Sequence, residues 1–326
     1  MKEVYQNIWQ QQIPLRGNPL KELNCYIIKG ENRNLVVDTG FNQAEGRELL
    51  LGALEELGCD LDQTDVFLTH LHVDHSGLVG AIKNPNNKAY TSATDGAMVN
   101  APFRKASDKG PEIVIPRDVR MGFSADDGDV AGSLPAVFNR TDVEIDFTTV
   151  AEGDVIDIGG FTFTVVDFAG HTPGQVGLYE PTKKILFPGD HILGKITPNI
   201  TFWSFEFDAL GTYMQNLKKA REMDVDYLFA AHRFYVENHA ERVDQLLAHH
   251  DRRLAEVLDI LSSGEKTVYQ VASDMKWDFA GGNFLEFPVT QKFFAAGEAM
   301  SHLEHLLFQG KVQREERESV LYYSLA

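Results

Sequence analysis

Short apolar runs broken by turn residues fill the first part of the chain. Cys25-Tyr26-Ile27-Ile28 stops at Lys29-Gly30, and Leu35-Val36-Val37 stops at Asp38-Thr39-Gly40. Joined through the polar link 31–34, they predict two adjacent strands in a hairpin. From Glu45 to Leu57 the apolar residues Leu49, Leu50, Leu54 and Leu57 recur at a helical period, and Gly58 closes the segment. Val66-Phe67-Leu68 then reads as a buried strand. Strand, strand, helix, strand is the order of a layered α/β (α+β) protein.

Residues 85–150 lose this rhythm. Pro85, Pro102, Pro111, Pro116 and Pro135 interrupt weak periodicity, leaving short helices at Met98-Val99 and Ala136-Val137-Phe138. A long irregular segment inside a compact domain is usually a lid or binding loop, and that is the expectation here. Strand patterns resume at 155–158, 161–166, 175–179 and 185–187. Helical patterns over 208–223 and 237–261 flank the run Tyr227-Leu228-Phe229. The second carries an apolar stripe through Val243, Leu246, Leu247, Leu254, Val257, Leu258 and Leu261. His250 lies on that stripe, which predicts a structural histidine, and His249 lies off it, toward solvent. Beyond Gly264 come a helix at 268–275, a Gly- and Pro-containing loop at 279–288, a helix at 292–308 and two strand-like runs. That order outlines a winged helix. The chain therefore divides into a large domain 1–262, with a lid-like insertion at 85–150, and a small winged-helix-like domain 263–326.

The segment Thr69-His70-Leu71-His72-Val73-Asp74-His75 places three histidines and an aspartate within six residues. Imidazole and carboxylate are the usual zinc ligands. Alternation along an extended segment sends His70, His72 and Asp74 to one side, with His75 turned by the next loop. A catalytic zinc takes three protein ligands and keeps a position open for water, so four candidates this close together suggest two metals. Further candidates each follow an apolar run: His171 after 161–166, Asp190 after 185–187 and His232 after 227–229. Loops at strand ends converge on one edge of a sheet, where α/β folds build their sites.

Charge and composition narrow the picture. The 326 residues are 43% hydrophobic and 10% aromatic, which describes a globular protein. Two cysteines, Cys25 and Cys59, are too few for a disulfide framework and read as small buried apolar residues of a cytoplasmic protein. Residues 1–17 have no apolar centre of the kind a signal peptide needs, and no run reaches the length of a membrane span. The net charge of −18 disfavours a main role in gripping phosphate backbones, and part of it suits divalent cations.

Together these motifs resemble the metallo-β-lactamase superfamily. The resemblance runs through Leu35–Gly40, Thr69–His75, Gly170-His171-Thr172-Pro173-Gly174, Phe187-Pro188-Gly189-Asp190-His191 and Ala231-His232-Arg233, and covers about residues 20–262. It implies an αββα sandwich, two sheets face to face with helices outside. It also implies two divalent metal ions, zinc foremost, with iron or manganese as alternatives. His70, His72 and His171 would hold the first; Asp74, His75 and His232 the second; and Asp190 would bridge them. The implied enzyme is a zinc-dependent hydrolase using a metal-bridged hydroxide, with Asp74 as the catalytic residue that orients the water. Asp38 is expected to tie down the histidine loop through hydrogen bonds, a turn-capping aspartate being the competing reading. His191 is expected to point away from the metals.

Asp190 stands where many true β-lactamases carry cysteine, which turns the resemblance toward hydrolases of thioesters, lactones and phosphodiesters. His72 stands where flavodiiron oxidoreductases carry glutamate. The chain also lacks the basic helical end of glyoxalase II enzymes. More specifically, it resembles lactamase-like hydrolases with a C-terminal winged helix, through Gly189–Gly194 and Thr197-Pro198-Asn199. From Glu265 onward, however, six basic residues face nine acidic ones, and the would-be recognition helix carries Glu298 and Glu304. Phosphate affinity needs clustered Lys and Arg. A pocket wall, or a contact in a homodimer, is the expected role of this unit. The aromatic run Phe202–Phe207, with Trp203 and Phe205, is expected to wall the substrate pocket. The expected substrate is a small acyl compound, a thioester or ester, without a membrane partner. A phosphodiesterase or endoribonuclease of the same fold is the alternative, followed by an iron-dependent persulfide dioxygenase or an idle scaffold.

Overall fold

The computed structural model of the chain describes residues 1–103, 117–124, 136–278 and 283–326. One sheet is laid down in chain order by β1 (Lys2–Tyr5), β2 (Ile8–Pro14), β3 (Glu22–Lys29), β4 (Asn34–Val37), β5 (Thr64–Phe67), β6 (Ala89–Ser92) and β7 (Phe147–Val150). A second contains β8 (Val155–Asp157), β9 (Thr162–Asp167), β10 (Val176–Glu180), β11 (Ile185–Phe187) and β12 (Tyr227–Leu228), ordered β12-β11-β10-β9-β8. Helices α1 (Ala44–Glu56), α2 (Val73–Ser76), α3 (Val79–Ile82), α4 (Ala93–Val99), α5 (Arg117–Met121) and α6 (Ala136–Asn139) belong to the first half. Then follow α7 (Ala209–Arg221), α8 (His239–Leu261), α9 (Val268–Asp274) and α10 (Val289–Phe308).

Side-chain alternation along the strands builds the layers. On β3, Tyr26 and Ile28 point between the sheets, where they meet Phe163, Leu178 and Phe187. Cys25 and Ile27 point the other way, toward Leu50 and Leu54 of α1. The outer face of the second sheet, through Val166, Phe168 and Leu186, packs on Leu210, Tyr213 and Leu246 of α7 and α8. Helix, sheet, sheet, helix is the αββα arrangement the resemblance implied. Each fully buried Leu, Ile or Phe contributes about 1.5–3 kcal/mol relative to exposure.

The hairpin of β3 and β4 pairs antiparallel from Tyr26↔Val37 to Lys29↔Asn34, as the pattern predicted. Two features depart from the sequence reading. The first is β2, which pairs with β3 along its whole length but carries Gln10, Gln11 and Gln12, so its apolar alternation is masked. The second is the 85–150 segment, which is less irregular than expected because β6 and β7 join the first sheet in parallel. Both strands are only four residues long, too short for periodicity to register. Pro111, Pro116 and Pro135, and the start of the 279–288 loop, lie outside the described residues.

At the C-terminal end, β13 (Lys266–Thr267), β14 (Val312–Arg317) and β15 (Val320–Leu325) form an antiparallel sheet with β15 in the middle. This unit shares one continuous core with the second sheet's helices: Val271, Met300, Leu303 and Tyr323 pack in the same cluster as Leu210 and Leu246. Glu298 and Glu304 lie in the stretch of α10 that is buried without a break from Ala295 to Glu304. Glu304 accepts hydrogen bonds from Tyr323 and Arg314, and Glu298 accepts one from Asn199. A helix this apolar, with mostly small and aliphatic residues, is sequestered against α7, α8 and α9.

Candidate metal centre

Four chain segments deliver the candidate ligands to one place. The first follows β5, and it is not extended as alternation suggested. His72 is the N-cap of α2, a single helical turn containing Asp74 and His75, and Ser76 Oγ ties the turn back to the carbonyls of Leu71 and His72 at 3.0 Å. The turn, not a strand pleat, therefore swings Asp74 and His75 toward a second position. His171, Asp190 and His232 follow β9, β11 and β12. Close packing of these loops requires glycine at two points. A Cβ on Gly170 (φ +141) would stand 2.5 Å from Cβ of Tyr213, and one on Gly189 (φ +57) 2.6 Å from Oγ1 of Thr69.

His70, His72 and His171 form one donor group, and Asp74, His75 and His232 another. In the first, His72 Nδ1 lies 3.0 Å from His70 Nε2 and 2.9 Å from His171 Nε2. In the second, His75 Nε2 and His232 Nε2 are 3.2 Å apart, with Asp74 Oδ2 3.5 Å from His232 Nε2. Asp190 stands between them: its Oδ2 is 3.7 Å from His171 Nε2, and its Oδ1 is 3.5 Å from His75 Nε2 and 3.4 Å from His232 Nε2.

The outward nitrogens of these rings fix which lone pairs face inward. His171 Nδ1 donates to the Asn199 carbonyl (2.8 Å), His232 Nδ1 to the Glu22 carbonyl (2.9 Å) and His75 Nδ1 to Asp38 Oδ2 (2.8 Å). Thr69 Oγ1 donates to Asp38 Oδ2, so its free lone pair takes the proton of His70 Nδ1 at 3.0 Å. With those protons placed, the inward nitrogens are acceptors that meet other acceptors. They cannot satisfy one another, and Asp190 Oδ1 is buried with no hydrogen-bond partner. A divalent cation resolves this conflict. Nitrogens about 2.0–2.1 Å from a tetrahedral ion stand roughly 3.3 Å apart, close to the spacing seen.

The charges agree. Burial first, then the neighbouring imidazoles, hold His70 and His72 well below their ordinary range and hence in the neutral, ligating form. Burial opposes protonation of His75, but Asp38, Asp190 and Asp74 outweigh it and raise it well above that range, so without an ion its Nε2 holds a proton whose place a metal cation would take. Burial raises the Asp190 carboxyl, yet His232, His75 and His171 hold it well below the usual carboxylate range. Three carboxylates buried together call for positive charge, which metal ions supply.

Around the ligands, Asp38 does what hydrogen bonding predicted: besides His75 it accepts from the Thr69 amide at 2.8 Å. Three residues escaped the sequence reading. Asp95 accepts from the amides of Leu71 (2.9 Å) and Gly174 (2.8 Å) and from Thr172 Oγ1 (2.6 Å), clamping two ligand loops together. Its only sequence signal was Ser92-Ala93-Thr94-Asp95, which reads as a local helix cap, and Ser92 does cap α4. Asn199 holds His171, and Glu298 of α10 in turn accepts from Asn199 Nδ2 at 3.1 Å. Trp203 faces the site, its ring centroid 6.2 Å from that of His72 and its Nε1 donating to the His171 carbonyl. Phe205 packs against Phe202 and beneath the Arg314 guanidinium. His191 is buried against Phe168 and Tyr213, outside the donor groups. His250 is buried as its stripe position implied, and His249 is half-buried.

Comparison with known proteins places this geometry. The sequence profile of the metallo-beta-lactamase superfamily matches residues 22–232, and that of a metallo-beta-lactamase-like C-terminal domain matches residues 254–326. The chain is 27% identical to the acyl-coenzyme A thioesterase MBLAC2 of Gallus gallus over 51% of its length and 56% of that protein's. It is 24% identical to an atrochrysone carboxyl ACP thioesterase of Emericella nidulans over 75% of its length and 62% of that protein's. It thus spans less than two thirds of either relative. Among solved structures, a metallo-beta-lactamase family protein, TTHA1429 of Thermus thermophilus, superposes with a TM-score of 0.80 at 21% identity, covering 99% of this chain and 100% of that one. That likeness concerns the fold. Because the first profile spans most of the sequence and every candidate ligand from His70 to His232, the chain belongs to the metallo-beta-lactamase superfamily.

Proposed function

We propose that this chain is a dinuclear zinc hydrolase of small acyl thioesters or esters. The observation that carries the reading is the pair of donor groups with Asp190 facing both, set beside the ring of Trp203. Ions held by these groups would supply a water nucleophile near neutral pH and Lewis acidity toward a carbonyl oxygen. Imidazole and carboxylate donors suit zinc, and also iron or manganese.

The chain's own residues do the rest. Asp74 reaches the second donor group through Oδ2, where a carboxylate can accept a proton from the attacking water and aim its lone pair. Trp203 uses its indole N–H on the His171 carbonyl, so the ring offers an apolar face to an acyl chain and excludes water there. The Thr69–Asp38 hydrogen bonds hold His70 and His75 in the tautomer that ligation requires.

Thioester chemistry is supported by relatives named as acyl-coenzyme A and acyl carrier protein thioesterases. We read the C-terminal unit as a winged-helix arrangement used for packing. The burial of α10 and a net charge of −18 weigh against nucleic-acid reading by that helix. Among the described residues, no helix is long and apolar enough to cross a membrane.

The test is a substrate panel of acyl thioesters, esters, lactones and single-stranded RNA, assayed with wild type and Asp190→Ala. Thioester or ester turnover that vanishes in Asp190→Ala is the expected result. RNA cleavage alone, falling steeply with added salt, would replace it with the phosphodiesterase reading. One bound iron with oxygen uptake would replace it with an oxygenase.

A further inference from the structure

Helix α5 introduces a cation beside the site that no carboxylate among the described residues neutralises. Its Met121 is fully buried in the core shared with α10, which fixes the helix in place. The guanidinium of Arg117 stands 5.8 Å from the ring of Phe202, 5.9 Å from Trp203 and 6.0 Å from Phe293. Three separate segments therefore meet around it: the insertion, the loop after Asp190 and the first turns of α10.

Several other arginines that leave the surface find acceptors, whereas Arg120, one turn further along α5, lies over the Phe205 ring at 5.3 Å and away from Trp203. Arg33 pairs with Asp65, Arg253 with Glu256, Arg314 with Glu304, and Arg242 with the carbonyls of Leu193 and Ile196. Arg117 is half-buried, and among the described residues it has neither a hydrogen-bond acceptor nor an ion-pair partner. Burial lowers its pKa from the ordinary arginine value, the sign of a charge held where water solvates it poorly. Ring faces compensate a guanidinium in part, and an oxyanion compensates it fully, through paired N–H donors. The Trp203 ring that flanks this guanidinium also faces His72. Trp203 is thus a neighbour of both a candidate metal ligand and the cation.

We infer that Arg117 recognises an oxyanion on the substrate, so the preferred substrate is an acyl thioester carrying a second, anionic group away from the scissile bond. This inference rests on the thioester reading above. The anion is a carboxylate on the acyl chain or a phosphate on the leaving thiol, and both would meet the same planar donor fork.

The experiment uses the full-length, metal-loaded protein and three matched thioesters: one neutral, one with a terminal carboxylate on the acyl chain, one with a phosphate on the thiol. Non-hydrolysable thioethers of the same three shapes report binding by calorimetry. Charge-assisted hydrogen bonds predict that Arg117→Gln lowers the anionic-to-neutral ratio of kcat/KM by about 10- to 100-fold, mainly through KM, with Arg117→Lys intermediate. The matching thioether loses affinity by the same factor, and whichever anion shows the loss identifies its source. The variant should melt no lower than wild type; a lower melting temperature together with an unchanged ratio would make Arg117 a packing residue. Equal affinities of wild type and Arg117→Gln for all three thioethers would overturn the inference while leaving thioester hydrolysis intact. Arg117-dependent thioether binding without any thioester turnover would do the reverse: the oxyanion site would stand and the thioesterase reading would fall.

Discussion

Replacing Asp38 by asparagine keeps the shape of the side chain and removes one acceptor from a buried junction of three donors. In the wild type, Oδ1 accepts from the Thr69 amide, and Oδ2 accepts from Thr69 Oγ1 and His75 Nδ1, each at 2.8 Å. If the new amide nitrogen takes the Oδ1 position, it faces the Thr69 N–H, donor against donor. In the other orientation it faces His75 Nδ1, which must then accept, sending the imidazole proton to Nε2 and into the donor group shared with Asp74 and His232. The first outcome leaves buried donors unsatisfied at about 1–3 kcal/mol. The second removes a ligand lone pair, and loss of such an outer hydrogen bond typically lowers metal affinity 10–100-fold. Asp38→Asn should therefore fold, with a lowered melting temperature, and lose affinity for the ion at the Asp74 group about 10–100-fold. Competition with a chromophoric chelator measures this. Wild-type affinity for two ions in Asp38→Asn would refute the tautomer argument.

Three further outcomes follow from the same contacts. Asp95→Ala strands the amides of Leu71 and Gly174, each at about 1–3 kcal/mol, so urea unfolding should show a loss of several kcal/mol even without metal. Glu298→Ala frees Asn199 and should weaken the ion held with His171 by about 10-fold in the chelator assay, whereas Glu298→Gln keeps an acceptor and should bind nearly as wild type. His302 is buried and, chiefly through burial, has its pKa pushed down to about 3. The folded state stays neutral while the unfolded chain takes up a proton below its ordinary value near 6.5, so stability falls as pH drops through that window. The slope is up to about 1.4 kcal/mol per pH unit for this group, and denaturant melts of His302→Leu should show a shallower dependence between pH 6.5 and 5.

The candidate ligands could be read from the sequence because each is a residue type with metal chemistry at the end of an apolar run. The hairpin of β3 and β4, and the strands before His171, Asp190 and His232, were legible for the same reason: burial on both faces writes continuous apolar runs. What stayed hidden is what depends on distant partners. Asp95 acts on Leu71, Thr172 and Gly174, and Glu298 acts on Asn199 across 99 residues. Nothing near either residue records that. The glutamates of α10 entered the sequence reading only as counted charge, because composition reports charge and not direction. Likewise the path of the His70–His75 motif was misjudged, since a four-residue helical turn is shorter than any periodicity. The β2 strand was lost to its three glutamines, whose alternate burial appears only once β3 is laid beside it.

The central claim is that the seven side chains from His70 to His232 hold two ions with Asp190 between them. Metal content after equilibrium dialysis, in wild type and Asp190→Ala, tests it most directly. The account predicts two divalent ions per wild-type chain and loss of at least one in Asp190→Ala, with the fold retained by circular dichroism. Fewer than one ion in the wild type, or two ions held as tightly without the Asp190 carboxylate, would contradict it.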